Sequence, residues 1–224
     1  MPEVVAAASV LTGREVFSPG AVVIEGARVV DVLDTVPHGT KTRPGHLVPG
    51  FVDIHSHGAG GASVVGGDAD AVATFARTHR RHGTTTIVAS LVSAHPESLL
   101  TDVRALADLT EAGVIAGSHL EGPWVSPAMK GAHDPTALRP PAPDEVDAII
   151  DAGRGTIAMV TLAPELEHGD DAVRRFSEAG VLAAFGHSDA TWEETRSALD
   201  AGVTVATLLC NQMRGVPHRA RGPG

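Results

Sequence analysis

The sequence predicts an α/β fold of the (β/α)8 TIM-barrel type, here with about six βα units, preceded by a small N-terminal β unit. Three observations carry this. A helical stretch ending at a glycine, followed at once by an apolar strand, recurs five times. An apolar run over residues 47–58 supplies one strand more. The residues able to do chemistry, His55, His57, Glu121 and His187, fall at strand ends. Side chains from several strand ends converge on one point in a barrel, whereas in an open doubly wound sheet they are strung along an edge.

Residues 3–48 hold short Val-rich pieces at 4–11, 21–24 and 28–33, separated by Gly and Pro turns without helical period, so a β unit is expected over 1–48 and the barrel over 49–224. The first barrel strand lies between Pro49-Gly50 and Gly58-Ala59-Gly60-Gly61. The glycines Gly83, Gly113, Gly153, Gly180 and Gly202 then precede strands expected at 84–90, 114–118, 156–162, 181–185 and 203–209. Glycine accepts the left-handed backbone that ends a helix, and continuous aliphatic runs suit strands covered on both faces.

Composition narrows the function. A formal charge of −10 with no Lys/Arg cluster excludes a nucleic-acid or anionic-membrane surface, which needs a basic footprint. Small-molecule substrates remain. The single cysteine, Cys210, excludes an internal disulfide, and no apolar run reaches the roughly eighteen residues of a membrane span. The N-terminus lacks a basic stretch followed by an apolar core, so a cytoplasmic protein is expected.

In a strand the side-chain period of two puts His55 and His57 on one face, and two imidazoles there are half of a metal site. From this run alone a pair of surface histidines in a loop is the competing reading. The same alternation puts His119 and Glu121 on one face, with Gly122-Pro123 ending the strand and leaving the carboxylate at the rim. His187 follows another apolar run, and Thr191 and Glu194 stand in capping-box spacing for the next helix. A single loop acid or strand-end histidine is ordinarily structural. Together they offer the nitrogen and oxygen donors that a divalent transition metal prefers.

The chain resembles the N-acetylglucosamine-6-phosphate deacetylases of the amidohydrolase superfamily. The resemblance rests on Pro49-Gly50-Phe51-Val52-Asp53-Ile54-His55-Ser56-His57-Gly58 and on His119-Leu120-Glu121-Gly122-Pro123-Trp124 with Lys130-Gly131-Ala132-His133. Gly186-His187-Ser188-Asp189-Ala190 and residues 211–219 complete it. It implies a (β/α)8 barrel and metal-dependent hydrolysis of the acetamide of N-acetylglucosamine 6-phosphate, an amino-sugar phosphate. The metal, zinc first among the candidates and present as one or two ions, would be held by Glu121 and His187 and by His55 and His57. Ala132, Asn211 and Gln212 would contact the substrate, and Arg219, whose planar fork matches a phosphate, would bind the phosphate group. A homodimer is implied for the full-length family.

Two departures stand out. Where the family reads Thr-His-Leu-x-Asn-Ala-Met, this chain has Thr207-Leu208-Leu209-Cys210-Asn211-Gln212-Met213, so Leu208 replaces a metal-ligand histidine and Cys210 becomes a conceivable substitute. The residues after Gly50 suffice for six βα units, whereas a complete barrel takes about 250 residues. The family's general base, an aspartate on strand eight, therefore lies beyond Gly224, and no catalytic residue is assigned. A C-terminally truncated deacetylase is expected. The alternatives are a non-catalytic fragment that binds metal or sugar phosphate and another metal-dependent amidohydrolase, the latter disfavoured by the Glu121 motif and Arg219.

Overall fold

The computed structural model describes residues 2–215. The chain divides into two compact units, Met1–Phe51 and Val52–Gly224. The first is a five-stranded sheet of β1 (Glu3–Leu11), β2 (Val16–Phe17), β3 (Gly20–Glu25), β4 (Arg28–Leu33) and β5 (Thr42–Leu47), ordered β2-β1-β3-β4 with β5 beside β1. Valines suit these half-buried pleats, and Ala6, Ala7, Val10 and Ala21 pack inside. Sequence pattern did not mark β5, whose Pro44-Gly45 reads as a turn. It runs parallel to β1 with a register shift between Ala7 and Ser9. β1 is its only partner among the described residues, so the N–H that Pro44 lacks is not required.

The second unit carries the chemistry. β6 (Phe51–Ser56) leads through a small hairpin, β7 (Gly58–Ala59) and β8 (Ala62–Ser63), to α1 (Ala69–Arg81). Then strand and helix alternate: β9 (Thr84–Leu91), α2 (Pro96–Glu111), β10 (Gly117–Glu121), α3 (Pro143–Gly153), β11 (Ile157–Leu162), α4 (Gly169–Glu178), β12 (Leu182–Phe185), α5 (Trp192–Ala201) and β13 (Val205–Ala206). The sheet order is β6-β9-β10-β11-β12-β13, and each neighbour pair from β9 to β13 is parallel. Spatial order equals chain order. A doubly wound sheet reverses direction part-way, so this is the curled wall of a partial TIM barrel, as the spread of site residues over strand ends predicts.

Alternation divides each strand. Ile87, Ala89, Leu91, Leu120, Val160, Leu162, Ala183 and Phe185 face the helices and join Phe75, Leu99, Val103, Leu106, Ile149, Val173 and Phe176 in one core. The other face turns inward and is polar, with Ser90, His119, Glu121 and Thr161 all buried. Three local expectations shift. The strand expected over 114–118 is β10, which begins at Gly117 after bends at 114–116 and runs on to Glu121. Gly153 does not take the left-handed turn after α3; Arg154 does, at φ 49°, followed by Gly155. A β-carbon on Gly153 would stand 2.5 Å from Ile157 Cδ1, so a side chain there would have to displace the end of the Ile157 side chain. The strand expected over 203–209 is the two-residue β13, because Leu208 and Cys210 adopt positive φ and break the extended run.

Candidate metal centre

Glu121 is the last residue of β10, with its side chain on the inner face and 5 % exposed. Four imidazoles face its carboxylate. His57 Nε2 lies 3.1 Å from Oε2 and His187 Nε2 3.2 Å from Oε1; His55 Nε2 is 3.4 Å from Oε1 and His133 Nε2 3.8 Å from Oε2. His55 Nε2 and His57 Nε2 are 3.1 Å apart. The donor atoms of His55, His57 and Glu121, and separately those of Glu121, His133 and His187, lie within 4.8 Å of one another. All four expected metal-site residues are therefore brought together. His133, from the loop after Gly131, is an addition; a loop histidine has no periodicity that could have marked it.

The other ring nitrogens decide what each imidazole offers. His57 Nδ1 is 2.9 Å from the Ser90 carbonyl, and His187 Nδ1 is 2.8 Å from the Met129 carbonyl. A carbonyl only accepts, so both Nδ1 atoms carry the proton and the neutral Nε2 lone pairs point at the carboxylate. Lone pairs facing carboxylate oxygens repel unless a cation stands between them. The residues thus fit a divalent metal, with backbone carbonyls fixing the rings from behind. His133 is opposite: the Ser93 N–H donates to its Nδ1 at 3.3 Å, so its Nε2 bears the proton and is a donor into the site. The chemistry of His133 argues against its being a ligand, despite its position.

A metal-free cluster can meet the same demand with protons. Burial raises the Glu121 pKa, but contacts from His187, His55 and His57 outweigh it and hold the carboxyl below its ordinary range. The Glu121 carboxylate holds His57 up against burial. Burial pushes His187 down, and Glu121 with the Met129 carbonyl more than reverses that. Burial, reinforced by the neighbouring His187, pushes His133 down to about 4. Burial likewise pushes His119 down to about 3.

The ring opens into a cavity of about 750 Å³ lined by His55, His57, Glu121, Ala132, His133, His187, Leu208 and Gln212, among others. Ala132 and Gln212 reach this space. Asn211 is exposed in the turn after β13, where its N–H bonds to the Leu208 carbonyl. Arg219 lies outside the described residues. Leu208 lines the cavity without offering a lone pair. Cys210 is exposed and joins neither donor group; since β13 ends at Ala206, strand alternation does not carry its sulfur to the ligands.

The family model for the Amidohydrolase family matches residues 46–217. The chain belongs to the amidohydrolase family. Among solved structures this amidohydrolase is similar to the N-acetyl-D-glucosamine-6-phosphate deacetylase of Mycobacterium smegmatis, at 46 % identity and TM-score 0.94, covering 98 % of this chain and 59 % of that one. Among relatives by sequence, an N-acetylgalactosamine-6-phosphate deacetylase of Escherichia coli O157:H7 is 32 % identical over 87 % of this chain and 53 % of its own length. An N-acetylglucosamine-6-phosphate deacetylase of Vibrio furnissii is 34 % identical over 84 % of this chain and 47 % of its own length. The chain spans about half the length of these relatives.

The amidohydrolase chain is locally adapted to hold the centre. A β-carbon on Gly186 would stand 2.3 Å from Thr207 Oγ1 and 2.7 Å from Thr161 Cγ2, so only glycine lets the backbone before His187 approach the inner layer. His187 itself has φ 49°. Its loop is tied down by Ser126 N–H to the His187 carbonyl at 2.8 Å, and by Glu165 accepting from Ser188 Oγ at 2.6 Å and from Asp189 N–H at 2.7 Å.

Proposed function

We propose that the chain derives from a metal-dependent deacetylase acting on N-acetylglucosamine 6-phosphate, releasing acetate and glucosamine 6-phosphate. The observation that carries this reading is the Glu121 carboxylate faced by His57 and His187 Nε2 atoms whose opposite nitrogens are committed to backbone carbonyls. Glu121, His187, His55 and His57 would hold one or two divalent ions, zinc foremost. Such an ion supplies Lewis acidity toward an amide carbonyl and lowers the pKa of water toward neutrality. Around it the chain's own residues bind and orient. His133 Nε2–H offers a donor to an oxygen in the cavity. Ala132, Asn211 and Gln212 would contact the sugar and Arg219 its phosphate. The relatives' names support an acetylated amino-sugar phosphate, and the Mycobacterium smegmatis enzyme, with TM-score 0.94 to this chain, favours the gluco form.

Leu208 supports a second reading, a chain that binds metal or sugar phosphate without turnover, because a leucine, which has no lone pair to give, lines the cavity where the family resemblance implies an imidazole. Acetate release from N-acetylglucosamine 6-phosphate, measured with and without added Zn²⁺, separates the two. Metal-dependent release supports the deacetylase; substrate binding by calorimetry without release supports the second reading.

A further inference from the structure

A line of hydrogen bonds crosses the inner face of the second unit beneath the ligands. The Ser56 N–H donates to Ser90 Oγ at 3.0 Å. Ser90 Oγ is 2.9 Å from His119 Nδ1, His119 Nε2 is 2.8 Å from Thr161 Oγ1, and Thr161 Oγ1 is 3.0 Å from Thr207 Oγ1. The line thus runs from β6 through β9, β10 and β11 to the residue after β13. Ser90, His119 and Thr161 are fully buried. One proton order suits it: Ser90 Oγ accepts from Ser56, its hydroxyl donates to His119 Nδ1, His119 Nε2–H donates to Thr161, and Thr161 donates to Thr207. The opposite order leaves the Ser90 proton without an acceptor among the described residues, a costly state in a buried site.

His119 occupies the middle of this line. It precedes Glu121 by two residues on β10, and its ring lies edge-on to His55, centroids 4.6 Å apart at 79°. We propose that His119 is a positioning residue of the metal centre: pinned at both nitrogens by Ser90 and Thr161, it seats the His55 ring and fixes where β10 presents Glu121. This rests on reading the cluster as a metal centre. An apolar side chain would fill the space but leave the buried Ser90 proton without its acceptor, cut Thr161 off from Ser90 and free the imidazole above it. Partners that orient ligands in this way typically govern metal affinity by about 10–100-fold.

Co²⁺ titration of the full chain, followed by visible absorption, tests it. His119→Leu should weaken Co²⁺ binding about 10–100-fold and change the absorption bands. Thr161→Val, isosteric and at a hydroxyl that is hydrogen-bonded to His119 and Thr207 and to no proposed ligand, should act in the same direction by removing the Nε2–H acceptor. His119→Gln should recover part of the loss, because its amide reaches Thr161. Wild-type affinity and absorption in Thr161→Val and in whichever His119 variant melts cooperatively overturn the inference alone. An unmodified chain that takes up no Co²⁺ overturns it together with the metal reading.

Discussion

At the scale of residues, the His187 backbone is one of several left-handed points: that conformation costs a residue with a β-carbon about 1–2 kcal/mol, and the loop contacts of Ser126 and Glu165 hold it there. Its Nε2 and the Glu121 carboxylate meet over the cavity, and each should be needed for tight metal binding. Glu121→Gln is expected to abolish it, with elemental analysis after dialysis as the check. Leu208, at φ 53°, is a poor occupant of a left-handed position, where histidine is better tolerated. Leu208→His should therefore raise zinc affinity, since imidazole suits zinc, with no loss of stability, read by competition with a chromophoric chelator. Acetate release by that variant should stay near background, since general acid–base catalysis contributes roughly 10²–10⁴ and no described residue is assigned to it.

The residues also set a pH dependence. His57 and His187 have raised pKa values, so the stabilisation they give the metal-free chain is complete below 6.5 and is lost as pH rises through their elevated folded values. Glu121 is depressed, so its stabilisation is present above 4.5 and is lost as pH falls through its lowered folded value. The contribution of these three groups to the metal-free chain should be greatest between those limits, while His133 and His119, pushed down by burial, cost stability increasingly as pH falls below 6.5. Metal competes with the imidazole protons, so its stabilisation should instead grow as pH rises. Thermal melts across pH with zinc and with chelator check both; parallel profiles would count against the assignment.

At the scale of elements, α5 starts at the capping box foreseen from Thr191 and Glu194, with Thr191 accepting from the Glu194 N–H and Glu194 from the Thr191 N–H. Thr191→Ala should cost about 1 kcal/mol in denaturant melts while leaving metal affinity unchanged, because α5 supplies no ligand. The strands after β6 were legible because a glycine stands at or beside the end of each preceding helix and an aliphatic run follows, although after α3 it is Arg154 that turns left-handed. β5 was not, since an edge strand tolerates Pro44-Gly45, nor was the shortness of β13, which depends on left-handed backbone at Leu208. Period-two alternation exposed His55, His57 and Glu121, and the apolar run before it exposed His187. His133 stood in the resemblance motif, but a loop residue has no periodicity to mark it as facing Glu121; the line through Ser90, Thr161 and Thr207 was hidden because it depends on pairing across strands.

At the scale of the whole molecule, β6 pairs only with β9 and β13 only with β12 among the described residues. On β6, Val52 is 64 % and Ile54 43 % exposed. Unpaired backbone beside exposed aliphatic side chains promotes edge-to-edge association. Sedimentation velocity should show association that grows with concentration and is relieved by Ile54→Lys; a monodisperse monomer throughout would refute this.

The agreement of spatial and chain order also has a kinetic meaning. Each strand of the wall docks beside the one made just before it, so each new contact closes over a single helix-bearing connection, and the wall can grow from its N-terminal side while a ribosome is still extending it. The proposed ligands arrive on that schedule: His55 and His57 first, Glu121 after two further strands of the wall, His187 after two more. An ion gripped by all four can therefore arrive only near the end of assembly, as a latch on a finished wall rather than a seed for it.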